Sequence, residues 1–501
     1  MVKRKDTQLP TDIPSHLRRY LSEAMDARLE RATVSDGKEV LTTEQLLKAR
    51  CDATRNLEAS GVGPRSRVGL VAPNSVGYVV VLLGLLELGA VPFLIDPAVS
   101  SQQLNTLIDS TGIEFVIQPA DHDALARIEM RGAIEQGNLV VAATSSQQAA
   151  PEMHPLTEIC RFTSGSTRTA ACIEFTGRAV VNAARSWVMA TEMSEADSIL
   201  CFAGAYNGLA FNTSLIPALV SGASLSLPAA LPSAGYVRRK LEHTRGTILV
   251  GFPAIYDALA RTAKNIPGER PRLCLSSSAR LAPSTREILG QREGIVISDY
   301  YGLAETGPLT EGEKRPDAVG QGKVLPNVSI RVEEGGLLVR STSMGTRYLN
   351  YPGLFESRLT TDGYYRSGDE GTFIDGRLVL SGRSGKGLNV GGKKVSPDEI
   401  RDVLLESPNV TDAHVSLATS SSQHGILCAL VKTQDTVEND LVRELRGLAE
   451  RRLSAHERPM KYFLVDAIPR SGPGKPRLTE IDELIQQLLG MELQKLKGMK
   501  S

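Results

Sequence analysis

The stretch from Arg67 to Ile117 narrows the fold more than any other part of the chain. Arg67-Val68-Gly69-Leu70-Val71 is a short apolar run stopped by Pro73. Asn74-Ser75 can cap a helix that runs to Leu88, where Gly89 ends it. Val91-Pro92-Phe93-Leu94-Ile95 reads as a second strand closed by Asp96-Pro97. A helix-like segment covers Gln102 to Ser110, and Phe115-Val116-Ile117 is a third strand. Strand–helix–strand succession at this spacing predicts an α/β fold with a parallel sheet covered by helices. The pattern returns at Ile248-Leu249-Val250, Arg272 to Leu275 and Gly294 to Ile297. From about Val328 to Leu380 it gives way to a β-rich part with turns at Asp362-Gly363 and Asp375-Gly376.

A chain of 501 residues is long for one core, so two domains are expected. The break falls near Arg383 to Gly387, giving a large unit over 1–385 and a small α+β unit over 386–501. In the small unit a helix starts at Pro397, and strands follow at Ala413 to Leu417 and Ile426 to Val431. A helix through Leu441 and Leu448 comes next, then the strand Tyr462 to Val465. Acidic and basic residues balance at 57 each, which leaves no field to gather nucleic acid or a membrane surface. The apolar stretch Tyr78 to Leu88 is too short to cross a bilayer. The basic start Met1 to Asp6 has no apolar run after it, so a signal peptide is not expected. Six cysteines lie far apart with no CxxC, which reads as reduced thiols in a cytoplasmic protein.

The segment Arg161-Phe162-Thr163-Ser164-Gly165-Ser166-Thr167-Arg168-Thr169-Ala170-Ala171-Cys172 suits a phosphate, because small hydroxyl residues around a glycine expose backbone N–H groups. A plain polar turn has the same composition. A Walker loop would need a second glycine, a lysine and then a helix. Here Ala170 and Ala171 are followed by the strand-like Ile173-Glu174-Phe175.

The segment resembles instead the loop of the adenylate-forming superfamily, which includes acyl-CoA synthetases, luciferases and peptide-synthetase adenylation domains. That loop reads Thr-Ser-Gly-Ser/Thr-Thr-Gly-x-Pro-Lys-Gly between two strands. Thr163 to Thr167 match it. Arg168, Ala170, Ala171 and Cys172 replace its glycine, proline, lysine and last glycine. Other motifs of the family follow in order over nearly the whole chain. They are Gly89 to Pro97, Ser276-Ser277-Ser278-Ala279, Asp299-Tyr300-Tyr301-Gly302-Leu303-Ala304-Glu305, Tyr365 to Asp369, Gly382 to Lys386 and Arg470 to Lys475. Each is weak alone. In register they identify the chain as a member of this superfamily.

The resemblance implies roles. Thr163 and Ser164 line the α-phosphate. Ser277, Ser278, Ala279, Tyr300, Gly302 and Ala304 belong to the adenine motifs. Tyr301 stacks on adenine and Asp299 accepts from its amino group. Asp369 takes both ribose hydroxyls, as an ionised carboxylate can. Arg383 neutralises the nucleotide, and Glu305 is the magnesium ligand if Mg-ATP is used; no other metal is expected. Lys475, Lys386 and Gly392 form the catalytic set. Lys475 stabilises charge developing during adenylation, and Lys386, between Gly385 and Gly387, is the hinge. Most of these residues have ordinary readings too: a core tyrosine, a turn-capping aspartate, a solvated glutamate, a loop lysine or a tight hairpin.

Two departures bear on the substrate. Peptide-synthetase domains carry Phe-Asp where this chain has Phe202-Ala203, so no carboxylate grips an α-amino group. Many acyl-CoA synthetases carry histidine where this chain has Ala205-Tyr206. An apolar acyl pocket around Tyr206, Phe252 and Tyr301 is expected, unless these aromatics are ordinary core.

The loop residues that hold the β- and γ-phosphates in the family it resembles are the ones replaced here, while the adenosine and hinge motifs are kept. This predicts an enzyme that takes acyl adenylate and coenzyme A and makes the thioester, with use of ATP and magnesium in doubt. The adenylate would come from a separate adenylating enzyme. Such a split resembles the paired acyl-CoA ligases of platensimycin/platencin-type diterpenoid biosynthesis. Arg168 could replace the lost charge, which leaves open a complete ATP-dependent synthetase. A non-catalytic adenylate-binding scaffold is the third reading. The acceptor is coenzyme A or a carrier-protein pantetheine.

Overall fold

The computed structural model describes residues 16–27, 32–121, 129–135, 137–145, 149–163, 170–228, 233–262, 270–277, 281–312, 320–383, 388–390, 393–418, 426–433, 438–453, 457–471 and 476–498. Two large sheets organise the first part of the chain. One has seven strands. Phe115–Pro119, Arg67–Val71, Val91–Ile95 and Thr157–Phe162 run parallel at its centre, and Cys172–Thr176 closes one edge antiparallel. The other has nine. Its parallel centre holds Ser198–Cys201, Ile248–Gly251, Leu273–Ser276 and Ile297–Leu303. A four-stranded antiparallel sheet follows, from Val328–Glu333 to Arg377–Arg383. The α/β expectation therefore holds, with a β-rich part in its expected place.

The helix Val76–Leu88 explains how the two large sheets come together. Ser75 caps it by accepting from the Tyr78 N–H at 3.0 Å, and Gly89 ends it at φ 75°. Every residue from Val76 to Leu86 is buried, so the helix is apolar all round and lies inside the protein. It joins the largest core cluster, which draws Val68, Leu94 and Ile117 from one sheet and Ile199, Val250 and Leu275 from the other. Asn74 does not cap the helix. Its amide donates to the Ala203 carbonyl at 2.9 Å and accepts from the Ala205 N–H at 2.7 Å, clamping the loop that precedes Tyr206.

One expected strand begins late. Gly294 caps the helix Pro283–Glu293, Ile295 and Val296 connect it onward, and the strand starts at Ile297. The cause is local. Gly294 takes φ 67°, and the N–H groups of Gly294 and Ile295 turn back to Gly290 and Leu289.

Beyond residue 388 the buried apolar residues form clusters of their own. In the three-stranded sheet, Leu427, Ala429 and Val431 face Ile400, Leu404, Leu441 and Leu445 on two helices. The alternate residues Cys428 and Leu430 face Ile481 and Ile485 on the helix Leu478–Gly498. That last helix has no counterpart in the sequence reading. Among the described residues, no helix is long and apolar enough to cross a membrane. None of the six cysteines is in a disulfide, and five are buried.

Candidate functional site

The strand Ile297–Leu303 carries most of the adenine motif, and its alternation sends successive side chains to opposite faces. Tyr301 is buried among Leu309, Leu337, Val339 and Leu378, on the side of the four-stranded sheet. Its hydroxyl donates to Asp369 Oδ2 at 2.7 Å. Asp369 lies on the strand Tyr365–Ile374 and is 4% exposed. Its backbone N–H donates to Ser367 Oγ at 3.0 Å. The motifs expected for adenine and ribose are thus joined by one hydrogen bond.

Tyr300 takes the other face. Its ring meets Trp187 edge-on at 5.6 Å, and it packs on the central core together with Tyr206 and Phe252. Of the three aromatics expected around the acyl group, Tyr206 and Phe252 pack on the central core and Tyr301 lies in a separate cluster. Tyr300, not Tyr301, shares a core with Tyr206 and Phe252, because the strand parity places the two tyrosines back to back. Burial raises the Tyr206 phenol well above its ordinary value, and the nearby Asp96 carboxylate adds to the shift. Ala203 and Ala205 are fully buried, so no ionisable side chain stands at either position.

Asp299, expected to accept from the adenine amino group, already has a partner. Its carboxylate is ion-paired with the Arg286 guanidinium, which also donates to the Ile297 carbonyl. Any contact with an adenine amino group would share that carboxylate. Ser277 Oγ lies 3.5 Å from the Tyr300 carbonyl. Gly302 sits at a bulge in the pairing with the strand Gly307–Glu311. Its position admits no side chain, since a Cβ there would fall 2.7 Å from the Gly307 carbonyl oxygen. Ala304 packs at the rim of the central core.

Glu305 accepts from the Tyr348 hydroxyl at 2.6 Å. That oxygen lies 2.9 Å from Tyr365 Oη, which in turn accepts from Arg358 at 3.3 Å. These bonds hold the carboxylate expected, from the resemblance, to ligate magnesium. Among the described residues no group of three or more metal-ligating side chains occurs. One carboxylate with a tyrosine donor fits a cation only if phosphate and water supply the other ligands.

The ends of the phosphate loop are well anchored. Thr163 donates its N–H to the Ala171 carbonyl at 2.9 Å, and its Oγ1 accepts from the Ala171 N–H at 3.0 Å. Asn350 accepts from the Cys172 N–H at 2.8 Å and donates to the Ala170 carbonyl at 3.0 Å. Ala171 is 1% exposed and belongs to the central core with Ile173 and Phe175. The position of the family's lysine is therefore interior.

Several expected residues lie outside the described ones: Ser164, Arg168, Ser278, Ala279, Lys386, Gly392 and Lys475. Arg383 ends the strand Arg377–Arg383, where its backbone pairs with Asp369. The foot of the Lys475 loop is described. Arg470 pairs with Asp412 through two bonds of 2.6 and 2.7 Å, and Arg470 and Pro476 form a bridge across the loop.

Arg161 escaped the sequence reading as a site residue. It is 5% exposed in the strand Thr157–Phe162. Its guanidinium carbon lies 4.3 Å from the Phe175 ring centroid and 5.1 Å from that of Phe211. A lone arginine within Ile159-Cys160-Arg161-Phe162 was the available signal.

With this geometry in hand, a profile of the AMP-binding enzyme family matches residues 21–356. The chain belongs to that family. A probable CoA ligase from Humulus lupulus is 24% identical to this AMP-binding enzyme over 89% of its chain and 91% of the relative. ATP-bound MatB from Rhodopseudomonas palustris shares its fold, with TM-score 0.80, 18% identity and coverage of 95% and 100% of the two chains. So does an anthranilate CoA ligase in complex with anthranoyl-AMP, with TM-score 0.80, 19% identity and coverage of 95% and 98%. This AMP-binding enzyme is thus similar to CoA ligases over nearly its whole length and shares their fold.

Proposed function

We propose that this enzyme performs the thioester-forming half of the ligase reaction, acyl-AMP plus coenzyme A giving acyl-CoA and AMP. The carrying observation is the burial of Ala171 at the family's lysine position, 1% exposed and tied to Thr163 by two backbone-directed bonds. An ammonium group there would enter the apolar core instead of meeting the β- and γ-phosphates. The adenylate half of the site is better kept, with Tyr301 bonded to Asp369 and Thr163 closing the loop where the α-phosphate would lie.

The chemistry needs no pyrophosphate cradle. The thiol sulfur attacks the acyl carbonyl, the carbon–oxygen bond to phosphate breaks, and AMP leaves as the anion while the thiol proton passes to solvent. The residues for this step are those that hold AMP and orient the carbonyl. The core around Tyr206, Phe252 and Tyr300 supports a carboxylic acid with a largely hydrophobic body, of which a diterpenoid acid is one example. A separate adenylating enzyme would supply its adenylate.

Two assays test the reading. ATP–pyrophosphate exchange over a panel of acids should be absent. Synthetic acyl adenylates with coenzyme A should give thioester and AMP. Robust exchange would instead mark a complete synthetase in which Arg168 supplies the missing charge. No thioester from any adenylate would mark a scaffold.

A further inference from the structure

Arg161 is a buried cation with donors to spare. Its Nε and Nη1 are buried and have no hydrogen-bond partner among the described residues. Burial lowers it to about 10, opposed by the fields of Tyr300 and Glu305, so it remains charged at neutral pH. The Phe175 and Phe211 rings compensate part of that charge through their faces. Ring faces do not satisfy the N–H groups, which lie in the guanidinium plane. Unmade bonds of this kind are expensive in an interior and rare without a purpose.

The surroundings say where an acceptor would sit. A Cβ placed on Gly208 would touch both Nη1, at 3.4 Å, and Asn212 Nδ2, at 3.8 Å, so the two donor groups converge over the bare glycine. Gly208 follows Tyr206 and Asn207 into the helical segment Gly208–Ala210, whose first turn Asn207 caps. Tyr300, hydrogen-bonded to Asn212, lies close enough for its phenol and the guanidinium to perturb each other. Arg161 therefore borders the same core face as the aromatic residues assigned to the acyl group.

We propose that Arg161 is a specificity-determining residue, and that the acyl group carries a second oxygen acceptor, a carboxylate or a ketone, which the Arg161 Nη1 and Nε donors bind inside the pocket. The idea rests on the acyl-adenylate reading above but concerns a different part of the ligand. A pocket built to hydrogen-bond an oxygen rejects the analogue that lacks it far more strongly than an apolar pocket rejects an extra group.

The test uses matched trios of acids at several chain lengths: the plain acid, the terminal dicarboxylic acid and the oxo acid. Each is offered to the full-length enzyme as its mono-adenylate with coenzyme A, and separately as the free acid in a thermal-shift measurement. The wild type should prefer one oxygenated class by at least about tenfold in kcat/KM. That class should also give the larger thermal shift. Arg161→Met should erase the preference while raising Tm without ligand, because an apolar chain of similar size fits between the two rings. Arg161→Lys should retain part of the preference. Equal handling of plain and oxygenated members by the wild type would overturn the proposal. So would a preference that survives Arg161→Met, or a uniform loss over all acyl groups, which would place the guanidinium on the phosphate. If no adenylate gives thioester, the proposed reaction fails, yet the shifts with free acids still decide on Arg161.

Discussion

Tyr301 and Asp369, 68 residues apart, meet through a 2.7 Å hydrogen bond between a phenol and a buried carboxylate. The bond links the nine-stranded sheet to the four-stranded one. Tyr301→Phe keeps the ring and deletes the bond, leaving a buried carboxylate one donor short. A loss of about 1–2 kcal/mol is expected in a urea melt, with weaker AMP binding by calorimetry. Unchanged values in both would remove this contact from the nucleotide site.

Ala171→Lys gives a second prediction. An ammonium at a 1% exposed position in the core meets Ile173 and Phe175, not water. Destabilisation on the order of 3 kcal/mol is expected, with no gain of ATP–pyrophosphate exchange. A stable variant that catalyses exchange would show that only the lysine was missing.

Metal removal separates the two half-reactions. Glu305 is occupied by the Tyr348 hydroxyl at 2.6 Å, and thioester formation from a preformed adenylate involves no polyphosphate. The rate with synthetic adenylate should be the same with and without EDTA. Abolition by EDTA and recovery with magnesium would return Glu305 to the role of an essential cation ligand.

The strand Val410–Ala418 carries a pH response of its own. Burial, with Arg470 nearby, lowers His414 from 6.5 to about 4. Between these values the unfolded chain binds a proton that the folded chain refuses. The contribution of His414 is therefore fully present above 6.5 and is lost as pH falls towards 4. The whole effect is on the order of 3 kcal/mol. His414→Gln should flatten the stability profile over this interval in chemical denaturation. An unchanged slope would place the titration elsewhere.

The central strands Arg67–Val71 and Val91–Ile95 were legible to the residue, because apolar runs ended by proline, glycine and capping residues define them locally. The family was legible through its motifs. What the sequence hid was direction. Tyr300 and Tyr301 are neighbours in the chain, and only strand parity and bulge position decide which faces the central core. The Asp299–Arg286 pair was hidden for a similar reason, since the helix Pro283–Glu293 brings its partner across from 13 residues away. Arg161 looked like one more letter in a polar loop segment. Its isolation depends on Phe175 and Phe211 folding over it, and they come from a strand and a helical segment elsewhere in the chain. The helix Leu478–Gly498 was missed because its role is to cover the sheet face that Cys428 and Leu430 present.

The interior setting of Ala171 also bears on evolutionary history. Once core side chains close around a small residue, a charged one placed there meets a filled space instead of a ligand. A single substitution to lysine then costs stability before it could add any activity. Such a position acts as a ratchet. On the proposed half-reaction, lineages that cross it depend on whichever catalyst makes the activated acid, and the two genes should be inherited together.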